Sequence, residues 1–205
     1  MTSFDELTRR FERFPGIGPR QARRFVYHLL AEEPHELRAL SAAITTLRDS
    51  AAECARCFRY FAKNGGQSAL CGICADSTRN RALLMVVERD SDIAPIERSD
   101  TYDGYYFVLG GMVPLLDAQE QIKLRGGALK SIVKLRAGEG LKEIILAFAV
   151  SPDGENTSNY VAGLLKENAE KYGITISTLG RGLSTGSELE YADPETIKNA
   201  LKNRA

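Results

Sequence analysis

Apolar residues follow two patterns along the chain. A helical period runs to about residue 53, and from about residue 82 short unbroken apolar runs alternate with helical stretches. In the first region a short helix near residues 4–13 runs into Phe14-Pro15-Gly16-Ile17-Gly18-Pro19, a turn dense in helix breakers. Pro19 is then well placed as the first helical residue of the next segment. There Ala22, Phe25, Val26, Leu29 and Leu30 recur at i, i+3, i+4, i+7 and i+8, which predicts one apolar face with Arg20, Arg23 and Arg24 mostly off it. A third helix is expected from Pro34, with Leu37, Leu40, Ile44 and Leu47 as its buried stripe.

The second region reads as strand and helix in turn. Leu83–Val87 and Tyr105–Leu109 are two apolar runs, with a brief helix over 92–98 capped by Ser91 between them. Leu129, Ile132, Val133 and Arg136 mark one helix face. Ile144–Val150 is a third strand, residues 157–172 a helix ended by Gly173, and Ile174–Leu179 a fourth strand. Asp193-Pro194 has the cap and first-turn residues of a last helix. Continuous apolar strands separated by helices predict a parallel sheet covered on both faces. The fold class is therefore multidomain α/β: a helical region at 1–53, a small cysteine module at 54–80, a parallel α/β domain at 81–179 and a C-terminal helical segment at 180–205.

Composition narrows the function. At 205 residues, 43% hydrophobic and 26% charged, the chain resembles an ordinary globular protein. No apolar run approaches the roughly 20 residues that span a bilayer, and MTSFDELTRR has no secretory character, so a cytoplasmic location and no membrane partner are expected. The zero net charge hides sorting. Residues 9–24 carry six Arg against one Glu, 54–82 five cations against Asp76, and 119–142 six cations against two Glu, whereas 88–103 carries six acids against two Arg.

All four cysteines fall into two C-x-x-C knuckles, Cys54/Cys57 and Cys71/Cys74, thirteen residues apart, with Asn64-Gly65-Gly66 as a turn between them. Four thiolates closing on one tetrahedral zinc leave no position for substrate, so the expected zinc is structural. Arg56, Phe58, Arg59, Tyr60 and Phe61 interleave cations and aromatics, which either pack this module or stack on bases. Pro15-Gly16-Ile17-Gly18 between two helices resembles a helix-hairpin-helix turn, whose bare amides and helix N-terminus receive a DNA phosphate without reading sequence. Gly16, Gly18, Arg20, Arg23 and Arg24 are its candidate DNA-binding residues. Glu88 follows the first strand, and Asp153 and Glu155 follow the third, a set of oxygens that either suits Mg²⁺ or a partner or caps helix N-termini and stands solvated. His28 and His35 have no ligand spacing, no Walker motif exists, and Gly180-Arg181-Gly182 with Gly186 reads as a flexible turn.

The order of these features resembles the RecR family of bacterial recombination mediators over nearly the whole chain. The matching stretches are Phe14–Ala22, the four cysteines, Val86-Val87-Glu88, Tyr106–Gly111 and Arg181-Gly182-Leu183 leading to Leu189-Glu190-Tyr191. The resemblance implies a Toprim domain after the zinc module, a ring-like homotetramer closed partly by the C-terminal segment, and RecO and RecF as partners in loading RecA at single-stranded gaps. It implies a non-enzymatic, nucleoid-associated DNA clamp with no catalytic residue. The alternative is a Mg²⁺-dependent Toprim phosphotransferase or nuclease using Glu88, Asp153 and Glu155. Three departures mark this chain. Arg20 replaces the family's Lys, Ser151-Pro152-Asp153-Gly154-Glu155 replaces T-V-E-G-E, and Met112-Val113-Pro114-Leu115-Leu116 replaces H-L-S-P-L.

Overall fold

In the computed structural model, which describes residues 2–63, 68–115, 124–180, 194 and 196–198, three helices precede a region of alternating strands and helices. Helix α1 (Ser3–Glu12) begins at a capping box: the Thr2 hydroxyl accepts from the Asp5 amide, and the Asp5 carboxylate accepts from the Thr2 amide. The chain then turns through Gly16, whose φ of +76° is the left-handed region that favours glycine, into α2 (Pro19–Ala31). Phe11 of α1 meets Phe25 of α2 edge to face at 5.6 Å, and Ala22 and Val26 are buried beneath them. Helix α3 (Pro34–Ser50) follows. His28 and His35 are exposed and pair with Glu32 and Glu36, ordinary helix-surface contacts.

The expected buried stripe of α3 is corrected by the structure. Leu37, Leu40, Ile44 and Leu47 are 37–65% exposed, and no residue of α3 is buried. The helix forms as the period predicts, but its row is left open: Leu37, Leu40 and Ile44 line a hollow with Leu7, Phe11, Phe14 and Leu29 and not a packed core. The chain divides into two compact units, Met1–Ala51 and Ala52–Ala205.

Beyond the first unit, strands β1 (Ala51–Glu53) and β2 (Tyr60–Ala62) pair around the first cysteine knuckle, and the single turn α4 (Gly72–Ala75) carries the second. The main sheet holds β3 (Leu83–Val87), β4 (Tyr105–Val108), β5 (Glu143–Ala147) and β6 (Thr175–Thr178) in the order β4-β3-β5-β6, all parallel. Leu84 aligns with Tyr105 on one side and Ile144 on the other. A short 3-10 turn (Asp90–Asp92) and α5 (Ile93–Ser99) link β3 to β4; α6 (Gly126–Gly138) precedes β5, and α7 (Pro152–Tyr172) joins β5 to β6. The brief helix thus starts at Ile93 with no side-chain cap, so Ser91 lies in the turn and is not its cap.

Strand alternation splits the core in two. Leu84, Val86, Phe107 and Leu146 pack with Leu129 and Val133 of α6 and Val161 and Leu165 of α7. Met85, Val87, Tyr106 and Val108 face Ile93 of α5 on the other side. Arg136, expected on the α6 face, is 1% exposed, with its guanidinium 4.0 Å above the Tyr105 ring and 3.9 Å from Glu139. No helix of the described residues is long and apolar enough to cross a membrane. The expected turn at Asn64-Gly65-Gly66, the glycine turn beyond Gly180, the Arg181–Tyr191 stretch and the cap residue Asp193 lie outside the described residues.

Helix α7 begins five residues earlier than the expected 157, because Ser151-Pro152 is a start signal and not a loop. The Ser151 hydroxyl accepts from the Gly154 amide at 3.1 Å, with Pro152 in the first position. A Cβ on Gly154 would lie 1.9 Å from the carbonyl oxygen of Ala149, a backbone atom that cannot swing away. Gly154→Ala is therefore expected to lower stability by about 2 kcal/mol or more, seen as a lower urea midpoint at unchanged slope. Gly163→Ala on the same helix meets open space and should raise it by up to about 1 kcal/mol. Equal effects at the two sites would refute this account of the helix start.

Candidate metal centre and nucleic-acid interface

The two knuckles converge. The Sγ atoms of Cys54, Cys57, Cys71 and Cys74 all lie within 4.8 Å of one another, all four residues are buried, and all four thiols are free. Tetrahedral zinc with Zn–S bonds of about 2.3 Å needs sulfurs about 3.8 Å apart, and Cys57 Sγ and Cys71 Sγ stand 3.6 Å apart. The Cys71 amide also donates to Cys54 Sγ at 3.4 Å, a second-shell bond of the kind that steadies a thiolate. Hydrogen bonding among the thiols splits their titration, lowering Cys54 and raising Cys57, each chiefly through the other. The donor set fits zinc.

This module is joined to the main sheet. The Val108 amide at the end of β4 donates to the Cys57 carbonyl at 2.8 Å. Phe58, at φ +61°, meets Phe107 in a tilted pair at 5.3 Å, and Arg125 lies over the Phe58 ring while pairing with Glu53 at 2.5 Å. Arg56, between the first two cysteines, forms a two-pronged pair with Glu139 after α6. Of the aromatics interleaved with cations here, Phe58 and Phe61 pack the core and only Tyr60 is largely exposed.

In the first unit, Gly18 is the N-cap of α2 and no side chain caps the helix start. Gly18 has an ordinary extended φ of −84°, so it does not need the left-handed freedom that Gly16 uses, and space for a Cβ on it is open. Arg20, Arg23 and Arg24 are exposed, and none forms a salt bridge among the described residues; Arg24 makes one weak bond to Gln21 at 3.4 Å. The structure thus sets three guanidinium groups beside an uncapped helix N-terminus, an arrangement that attracts anions.

Glu88, Asp153 and Glu155 reach the carboxyl edge of β3 and β5, where the order β4-β3-β5-β6 reverses direction and ligands of open α/β sheets gather. Their oxygens are not gathered as the cysteine sulfurs are: among the described residues the four cysteines are the only cluster of three or more suitable ligands. Glu88 is 9% exposed and faces Arg89 at 2.6 Å, with Oε1 otherwise lacking a hydrogen bond. Asp153 Oδ1 accepts from the Leu115 amide at 2.9 Å. Asn156 donates to the carbonyls of Val113 and Pro114, and Thr157 accepts from the Val113 amide at 2.8 Å. The first turn of α7 therefore clamps the 113–115 backbone, a role for Asn156 and Thr157 that the sequence reading missed. Asp153→Ala should speed hydrogen exchange of the Leu115 amide at least about tenfold, while Asp153→Asn, which keeps an acceptor oxygen, should stay near wild type. Unchanged exchange in the alanine variant would contradict the clamp.

Comparison with known families accounts for most of the chain. Residues 4–48 match the model described as RecR, helix-hairpin-helix; 82–179 match the Toprim domain; and 182–205 match RecR, C-terminal. The chain is 39% identical over 194 residues to the recombination protein RecR of Prochlorococcus marinus strain MIT 9303, covering 95% of this chain and 96% of that one. It is 35% identical to that of Paenarthrobacter aurescens over 97% and 94% of the two chains, and 37% identical to that of Chloroflexus aggregans over 97% and 91%. With these model matches along the chain and identities of 35–39% over nearly its whole length, the chain belongs to the RecR family of recombination proteins.

Proposed function

We propose that the protein is a non-enzymatic DNA clamp of recombinational repair that holds the phosphate backbone through the α1–α2 hairpin and works with RecO and RecF to load RecA at single-stranded gaps. One observation carries the DNA reading: Arg20, Arg23 and Arg24 stand exposed, in no salt bridge among the described residues, beside an uncapped helix start that follows two glycines. A phosphodiester brings the missing negative charge and accepts the free amides, and the absence of a Cβ at Gly18 lets it approach. No bond is made or broken, and no Mg²⁺ step is assigned to Glu88, Asp153 and Glu155. Family membership supports the partners and a cytoplasmic, nucleoid-associated location.

In this reading the chain works as four parts, 1–53, 54–80, 81–179 and 180–205. Zinc held by Cys54, Cys57, Cys71 and Cys74 is structural and fixes the second part on the sheet. The exposed stripe of Leu37, Leu40, Ile44 and Leu47 supports assembly of copies into a ring tetramer, since apolar rows of this size are ordinarily covered.

DNA affinity should fall steeply as salt rises, and Arg20→Ala and Arg23→Ala should each weaken binding of single and double strands alike and flatten the log–log salt dependence by about one. Binding that ignores salt, or survives both substitutions, contradicts the proposal. For the metal, thiol modification should release one zinc per chain, and Cys57→Ala should cost about 3 kcal/mol or more of stability. A metal-free protein of wild-type stability would refute the structural role.

A further inference from the structure

The ring of Tyr27 is 62% exposed, although it sits on the helix that carries the DNA-facing arginines. Tyr27 lies one turn after Arg23 and Arg24, at i+4 and i+3, so all three share a side of α2. Its ring is braced from behind by Phe4 at 5.2 Å, and its hydroxyl has no hydrogen bond among the described residues. A braced aromatic with an open face among guanidinium groups is how proteins hold an unpaired base, because every base has a stackable face and every linkage a charge.

Two hollows flank the ring, and their charges differ. One, of about 470 Å³, is bounded by Pro19, Arg20, Arg23, Arg24 and Tyr27 and contains no carboxylate. The other, of about 330 Å³, sets Asp5 and Glu12 against Arg9 and Arg23, and hydrogen bonds from Thr2 hold Asp5 below the usual carboxylate range, so its charges balance and it offers a phosphate no net attraction. A polynucleotide is directed into the first hollow. The volume of that hollow is ample for a nucleobase beside Arg20 and Arg24.

We infer that Tyr27, with Arg20, Arg23 and Arg24, forms a subsite for one unpaired nucleobase of single-stranded DNA next to the backbone-binding hairpin. This rests on the proposed DNA reading and extends it. The hairpin holds phosphate in any duplex or strand, and the Tyr27 subsite favours a strand whose bases are free, as at the edge of a gap.

The test compares full-length wild type, Tyr27→Ala, Tyr27→Phe and Arg20→Ala in binding a dT20 strand and a blunt 20-base-pair duplex, with 2-aminopurine in a matched single strand as a stacking reporter. Tyr27→Ala should lose about tenfold in affinity for the single strand and less than about twofold for the duplex. Tyr27→Phe should bind both like wild type. Wild type should quench 2-aminopurine, and Tyr27→Ala should not. Arg20→Ala, in contrast, should weaken both substrates. If Arg20→Ala weakens both while Tyr27→Ala matches wild type, the base subsite is wrong and the phosphate reading stands. If Arg20→Ala weakens neither, the underlying reading fails. Equal losses on both substrates in Tyr27→Ala, or a changed solution mass for that variant, would show that the ring is a packing or assembly contact and overturn the inference.

Discussion

Contact among four thiols is the constraint on which the second unit depends. The stretch from Cys54 to Cys74 has too little apolar surface to fold by itself, and its sulfurs are instead part of the same buried cluster as the sheet and helices α6 and α7. Three kinds of contact tie the module down: the Val108 amide on the Cys57 carbonyl, Phe58 on Phe107, and Arg56 on Glu139. Each originates within a few residues of a cysteine. Opening the sulfur cluster would loosen all three, so the metal-binding group fixes the module on the sheet.

Most elements could be read from sequence because their side-chain pattern and their burial agree. Leu83–Val87 is a strand covered on both faces, and its unbroken apolar run says so. The knuckles, the Gly173 cap and the apolar face of α2 at Ala22 and Val26 are equally local signals. What escaped depends on partners distant in sequence. The period of α3 gave the right helix and the wrong burial, since period does not reveal whether a facing element exists within the chain. Asp153 and Glu155 looked like loop acids, but Ser151-Pro152 starts a helix there, and the Asp153 carboxylate is taken by the Leu115 amide 38 residues away. Arg136 was placed on the correct face, but nothing local shows that Tyr105 and Glu139 would receive it.

The two units divide the chemistry. In the first, residues 9–24 gather six Arg against one Glu and a helix start is left uncapped, which favours a polyanion. In the second, at the carboxyl ends of the strands, the first turn of α7 holds the 113–115 backbone and Glu88 faces Arg89. A chain neutral overall thus sets exposed guanidinium groups beside a helix start in one unit and internal contacts of its acids in the other.

The central claim is that DNA is held by its backbone charge and not by the identity of its bases. The most direct measurement is the affinity of the zinc-loaded protein for three oligonucleotides of equal length: a reference sequence, a scrambled sequence, and the reference with a run of uncharged methylphosphonate linkages. The account predicts equal affinity for the first two and a loss of at least about tenfold for the third. Strong dependence on the sequence, with the uncharged backbone bound as well as the charged one, would contradict it.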